Sequence, residues 1–360
     1  MPDSSRRERA FDVARGLAIL AIVVGHVLRG LTAADLVPRT SPTVLEVDDA
    51  LYVWHLAVFA VLAGVFLRPG VEKHGVGGYL RSRLPLFVHL YVVWTVVQAA
   101  VRFVTGRSGD GEEALGNIFT AFLVADGPLW WLGFLVVVSV AGAVARPWRS
   151  RSWAVGSTLA VVAVSLAAWG WTGPWLFLEG VALTGFFWLG ILVGRGGVSR
   201  LTAPPLAGRL AAAGVVVGGA LMVLADPMPP SSWIGPRTLV AVGLGLVASS
   251  VLCAGAFGVS GVLARTALVR PLAFLGERSL EIFLAHVVAT SLTRNLLSGL
   301  GVDEVWVHLV LGSAAGVLVP LGLWWAGSRL GFPWLFELPP ALRAARRRDP
   351  RRQTLDRSFN

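Results

Sequence analysis

Along this 360-residue chain, apolar and polar positions alternate on the scale of whole membrane spans, not of strands or of amphipathic helix faces. Runs of about 20 apolar residues recur, each long enough at ~1.5 Å per residue to cross a hydrocarbon core. The pattern predicts spans at about 11–31, 48–67, 84–104, 129–146, 152–170, 175–194, 207–225, 237–258, 271–292 and 304–327. The expected fold class is therefore an all-α polytopic membrane protein, a single bundle of about ten transmembrane helices. An even number of spans puts both termini on one side. Of the 31 Lys and Arg residues, 23 fall in the alternate segments that start with the N-terminus. The positive-inside bias then makes both termini cytoplasmic, and the chain is expected as a multi-pass protein of the cell (plasma) membrane. Two outer segments exceed a tight turn: 32–47, and 105–128, in which Ala114 to Ala125 has the length of a short interfacial helix. Arg6, Arg7 and Arg9 resemble the start of a signal peptide. The charged Asp12 and Arg15 and the ionisable His26 that follow, with no convincing cleavage site, predict that the first span is retained.

Composition supports this picture. Charged residues make up 14% and hydrophobic residues 55%, with a mean hydropathy of +0.69, whereas a soluble domain carries about 25% charge. The net charge of +10 does not point to nucleic acid, because the cations lie in short loops and a tail beside spans, where topology signals sit. Residues 1–330 read as the integral membrane domain. Residues 331–360 read as a basic cytoplasmic tail, expected to be disordered against the anionic inner leaflet. The single cysteine, Cys253, lies in an apolar run and reads as a small buried hydrophobe, which excludes an intrachain disulfide.

The chemistry is concentrated in the first span, RAFDVARGLAILAIVVGHVLRG, residues 9–30, which carries Asp12, Arg15 and His26. An ionisable group in a bilayer core costs roughly 2.5 kcal/mol or more, so three in one helix call for partners or a function. At 100° per residue Arg15 and His26 differ by only ~20° in azimuth, and Asp12 lies one turn from Arg15. One face thus runs from a cation, with Asp12 placed to orient it, to a titratable base ~16 Å away. Elsewhere the chief intramembrane ionisable residues are His55, His89, Glu179, Glu277, Arg278, Glu281 and His286. Depth counting puts His26 and His55 each ~7 Å below the outer surface, and His286 ~22 Å above the inner one. Three histidines from three helices are therefore expected to converge in the outer third. His89 lies near the inner end of its span and reads as an interhelical hydrogen bond. No metal is expected, because no two histidines stand at the i, i+4 spacing that helical metal sites use.

At these residues the sequence resembles membrane acyltransferase family 3, bacterial sugar O-acyltransferases, and within it the fucose 4-O-acetylase-like branch. The first span, with its Arg15-x10-His26 pair, resembles the family's opening helix. LYVWHLAVFAVLAGVFL (51–67), GPLWWLGFLVV (127–137) and LGERSLEIFLAHVV (275–288) resemble three later blocks. Where many members have Arg-x-x-Arg in the inner loop, this chain has Leu80 three residues before Arg83, with Arg81 the nearest basic substitute. The resemblance implies a membrane O-acyltransferase. Acyl-coenzyme A, usually acetyl-coenzyme A, would be the cytoplasmic donor substrate and a carbohydrate or glycosylated hydroxyl the acceptor, with the lipid bilayer as surroundings. In that reading Arg15, Arg81, Arg83 and Arg278 hold the donor phosphates. His26 is the general base, and His55 or His286 hydrogen-bonds the thioester oxygen or His26. A reading from a different class is a proton-coupled transporter or flippase, in which the buried His and Glu residues form a proton path.

Overall fold

A computed structural model describes residues 2–104, 120, 122, 124, 127–171, 176–231 and 236–339, with side chains from Arg9 onward. The described residues are helical, with no strand among them. Helix α1 is Pro2–Ala33, α2 Pro42–Tyr52, α3 His55–Val65, α4 Leu67–Val104, α5 Trp130–Ala145, α6 Arg151–Ala167 and α7 Thr184–Leu201. Helices α8 (Leu206–Ala213) and α9 (Gly219–Leu224) are joined by a π-helical turn, Gly214–Gly218, and are followed by α10 (Leu239–Leu263). The C-terminal part holds α11 (Val269–Glu277), α12 (Ser279–Gly299) and α13 (Val305–Leu330). Among the described residues, eight helical segments are long and apolar enough to cross a membrane, and α6 is a shorter apolar helix. The protein is therefore an all-α polytopic membrane protein.

The first span is the centre of the bundle. Its apolar window is 67% buried inside the protein, against 17% for Leu206–Leu224, so α1 faces neighbours while the α8–α9 region faces lipid. Around α1 stand α2, α3, α10, α11, α12 and α13. Two crossings are closed to backbone contact by glycine. A Cβ on Gly16 would collide with the Leu272 carbonyl and one on Gly276 with the Asp12 carbonyl, which seats α11 on the first half of α1. A Cβ on Gly64 would collide with the Phe187 carbonyl and one on Gly190 with the Val61 carbonyl, which seats α3 on α7. Small residues let helices approach this closely without any hydrophobic drive inside a bilayer.

Several expected spans have different boundaries. The span expected at 48–67 is two helices, α2 and α3, broken at Val53–Trp54 with no Pro or Gly to mark it. The break leaves the Leu51 carbonyl without its i+4 amide partner, and the His55 ring supplies the bond instead, Nδ1 to O 2.6 Å. The span expected at 271–292 breaks at Arg278 into α11 and α12, and α12 continues to Gly299. Arg294, which the charge pattern placed in an outer loop, is therefore inside a helix and only 9% exposed. The inner loop expected at 68–83 is instead the first part of α4, which turns at Gly75 (φ 68°). Residues 331–339, the expected start of the tail, dock on α4. Trp94 Nε1 donates to the Leu335 carbonyl (2.8 Å), His89 Nε2 donates to the Trp334 carbonyl (2.8 Å), and Phe336 stacks at 5.6 Å on Trp94. The expected interfacial helix Ala114 to Ala125 and the tail beyond 339 lie outside the described residues.

Candidate active site

Because α1 is unbroken, the face predicted from its period is present. At one end Arg15 Nη1 donates to Asp12 Oδ1 at 2.7 Å, both side chains about three-quarters covered. The Arg15 guanidinium lies 5.2 Å from the centre of the Phe66 ring, and Arg195 stacks on the same ring at 4.8 Å. Arg195 reaches this place because Gly194, at φ 60°, breaks the helical path of α7 just before it. Arg83 is close enough to act electrostatically on Arg15, as is Arg195. Three guanidinium groups thus gather at this end, with Asp12 as the carboxylate paired to Arg15. Such a cluster is balanced by an anion with several acceptor oxygens.

From this end a cavity of about 410 Å³ runs inward, lined by Arg15, Arg83, Tyr79 and Ser279 on its polar side and by Phe59, Phe66, Trp131 and Phe283 on its apolar side. Its far wall includes Ile22, one helical turn before His26, and Phe283, whose ring is 6.0 Å from His286. Of the expected donor-site cations, Arg15 and Arg83 line the cavity. Arg81 and Arg278 do not. Arg278 donates to Glu281 (3.2 Å) and lies 3.8 Å over the Trp324 ring.

At the other end the histidines gather, but not as a simple triad. His26 and His286 meet edge to face, with ring centroids 4.9 Å apart. His55 comes close through Tyr52, whose ring is 4.7 Å from His55 and 6.3 Å from His26 and whose hydroxyl is 3.4 Å from His26 Nε2. Two tautomers follow from the partners, since a ring nitrogen facing a carbonyl must carry the hydrogen. His286 Nδ1 donates to the carbonyls of Phe283 (2.7 Å) and Ile282 (3.1 Å), which leaves a lone pair on Nε2, a buried atom with no partner among the described residues. His55 Nδ1 donates to Leu51, so its lone pair is also on Nε2. His55 and His286 are 1% and 0% exposed, whereas His26 retains accessible surface. Although it does not itself line the larger cavity, His26 is thus the least buried of the three. Beyond it a second cavity of about 10 Å³, room for one water, is lined by His26, Thr290, Arg294 and His308. Among the described residues, no group of three or more His, Cys, Asp or Glu side chains is placed to hold a metal ion.

A family model described as an acyltransferase domain, Acyl_transf_3, matches residues 8–325. The chain belongs to acyltransferase family 3. No curated protein and no solved structure matches it significantly. The acyltransferase is therefore a membrane enzyme, and the matched region contains both ends of the α1 face and the cavity between them. Sequence reasoning about this acyltransferase missed five residues that the fold brings to the site. Tyr52 was not singled out, standing only within the 51–67 block, and Arg195 reads only as a topology signal. Arg29 and Arg294 were assigned to the outer side as loop or helix-end charges. His308 had a usable signal: four residues into the last span, it meets the same depth criterion as His26 and His55.

Proposed function

We propose that this acyltransferase moves an acyl group, acetyl in the simplest case, from cytoplasmic acyl-coenzyme A to a hydroxyl of a carbohydrate or glycosylated acceptor. The observation that carries this reading is a cavity with a guanidinium cluster at its mouth and a partly exposed histidine one helical turn beyond its far wall. Coenzyme A has the matching polarity, phosphates at one end of an extended arm and a thioester at the other. Arg15 and Arg83, with Arg195, hold the phosphates by charge-assisted hydrogen bonds, and Asp12 keeps the Arg15 fork in one orientation. The aromatic wall takes the arm. His26 removes the acceptor's hydroxyl proton as its oxygen bonds to the thioester carbon. The carbon–sulfur bond then breaks, and the same proton passes from His26 to the departing sulfur. His286 packs against His26 and presents a free Nε2, and His55 braces Tyr52. By the positive-inside bias the Arg15 end and both termini face the cytoplasm of the plasma membrane.

The test is transfer of radiolabel from [acetyl]-coenzyme A by purified protein in nanodiscs to octyl glucoside, a membrane-compatible sugar hydroxyl, with water as the competing acceptor. Labelled product or acetate made by the wild type and lost in His26→Gln supports the reading. Donor turnover unchanged by His26→Gln removes the histidine from the chemistry.

A further inference from the structure

We propose that Tyr52 is a positioning residue for His26, and that Arg29 and Asp48 form the bracket that holds Tyr52 in place. The inference rests on His26 being the base and concerns what fixes its ring. The phenol is constrained on every side that the structure describes. The Arg29 guanidinium lies over the Tyr52 ring, 3.3 Å from its centroid. Arg29 is in turn locked to Asp48 by a fork, Nε to the two carboxylate oxygens at 2.9 and 3.0 Å and Nη2 to Oδ2 at 2.7 Å. The His55 ring abuts Tyr52 at 72° and is itself pinned to the Leu51 carbonyl. Gly25, the residue before His26, makes room: a Cβ there would come within 3.1 Å of Tyr52 Cε2. With the ring held in this way and 4% exposed, its hydroxyl is brought to His26 Nε2.

The geometry has a chemical logic. A guanidinium fork on a carboxylate fixes the plane of the cation, and that plane fixes the tilt of the ring beneath it. Lysine in place of Arg29 would keep the charge and lose the plane. A phenol oxygen accepts from an imidazole N–H, so Tyr52 holds the tautomer of His26 that carries its hydrogen on Nε2. The lone pair is then on Nδ1, which takes the acceptor's proton, and Tyr52 keeps hold of Nε2 before and after that transfer without giving up its own proton. At 3.4 Å the contact is at the long limit of a hydrogen bond, so small displacements of the bracket alter it strongly.

Two measurements test this. The first needs no substrate: carbethoxylation of His26 by diethyl pyrocarbonate, followed by mass spectrometry, with His74 as internal standard. Removing the hydroxyl in Tyr52→Phe is expected to raise the His26 rate several-fold relative to His74, and an unchanged ratio overturns the contact. The second is steady-state release of thiol from acetyl-coenzyme A with octyl glucoside present. Tyr52→Phe is expected to lower kcat about tenfold, the scale of one hydrogen bond, with the donor KM and thermal stability held. Asp48→Asn should lower kcat less, and the double variant should be no worse than Tyr52→Phe alone, since both act through one contact. Additive losses, or losses confined to KM, overturn the bracket. The underlying reading fails separately: if His26→Gln turns over normally, His26 is not the base, whereas an inactive His26→Gln beside a fully active Tyr52→Phe refutes the tyrosine alone.

Discussion

The two ends of the α1 face are built on opposite principles. Around Arg15 the protein leaves an open volume of about 410 Å³ and gathers like charges; around His26 it leaves room for about one water and packs the ring against aromatic and histidine side chains, with Arg29 paired to Asp48 nearby. Charge crowding is unfavourable until an anion arrives, so the first end has the character of a binding site. A packed surround gives an imidazole one orientation, which suits the second end to the reaction proposed for it. In the proposed reading, binding and chemistry are thus separated along one helix by three turns.

The comparison is broken most completely if the two ends face the wrong compartments. Cysteine introduced at Thr40 is expected to react with an impermeant thiol reagent from outside the cell, and cysteine at Ser82 only after permeabilisation, an all-or-none contrast that the reverse pattern would overturn. Next in size is His26→Gln. It keeps a hydrogen-bonding side chain that cannot take a proton, and single-turnover transfer should fall by roughly 10²–10⁴-fold while donor binding and melting temperature persist. Retention of a tenth of the rate would count against the base. At the Arg15 end, Arg83→Ala and Arg195→Ala are each expected to raise the donor KM roughly tenfold with kcat nearly unchanged, because a remote phosphate contact contributes to ground and transition states alike. Equal losses in kcat at both ends would erase the distinction drawn here.

Gly276→Ala drives a methyl group into the Asp12 carbonyl. It should cost about 1–3 kcal/mol in thermal stability and raise the donor KM several-fold by shifting the Asp12–Arg15 pair, a milder and mixed phenotype. The smallest effect concerns Glu179, two residues before the span Val181–Leu201. Burial pushes its carboxyl from an ordinary 4.5 up to about 7. The folded chain then holds a proton that the unfolded chain releases, so this residue's contribution to stability declines as pH rises from about 4.5 to about 7 and stays low above that. Melting curves at pH 5 and pH 8 should show a shallower pH dependence in Glu179→Gln than in the wild type.

The parts of this site that were legible in the sequence are those governed by an uninterrupted helical period. Asp12, Arg15 and His26 share a face because eleven residues of regular helix carry azimuth faithfully; depth counting also put His286 at the level of His26, although its span breaks at Arg278. The family resemblance rested on those residues and holds at the level of the family. The backbone breaks at Val53–Trp54 and at Arg278 were not legible: neither Pro nor Gly marks the first, and Gly276 before the second reads in an apolar span as a packing residue. Tyr52 follows from the first break. An aromatic near a span end carries no signal of its own, and only the turn between α2 and α3 brings it to His26. Arg195 was hidden for another reason: in a chain this apolar, a cation at a span end is fully accounted for by topology, and its second role appears only once Gly194 and Phe66 are placed.

The crossing of α3 and α7 at Gly64 and Gly190 has a consequence for how the chain tolerates change. Because the two backbones touch directly, the register between the helices is set in discrete steps: sliding by one residue would bring a side chain into a space where only hydrogen fits. Phe66 at the end of one helix and Arg195 on the other therefore keep their separation whatever decorates the lipid-facing surface. Leu189 and Leu192, which are 48% and 42% exposed on α7, are free to drift among apolar residues with the thickness and composition of the host bilayer. The guanidinium cluster proposed to hold the donor stays in place while they do.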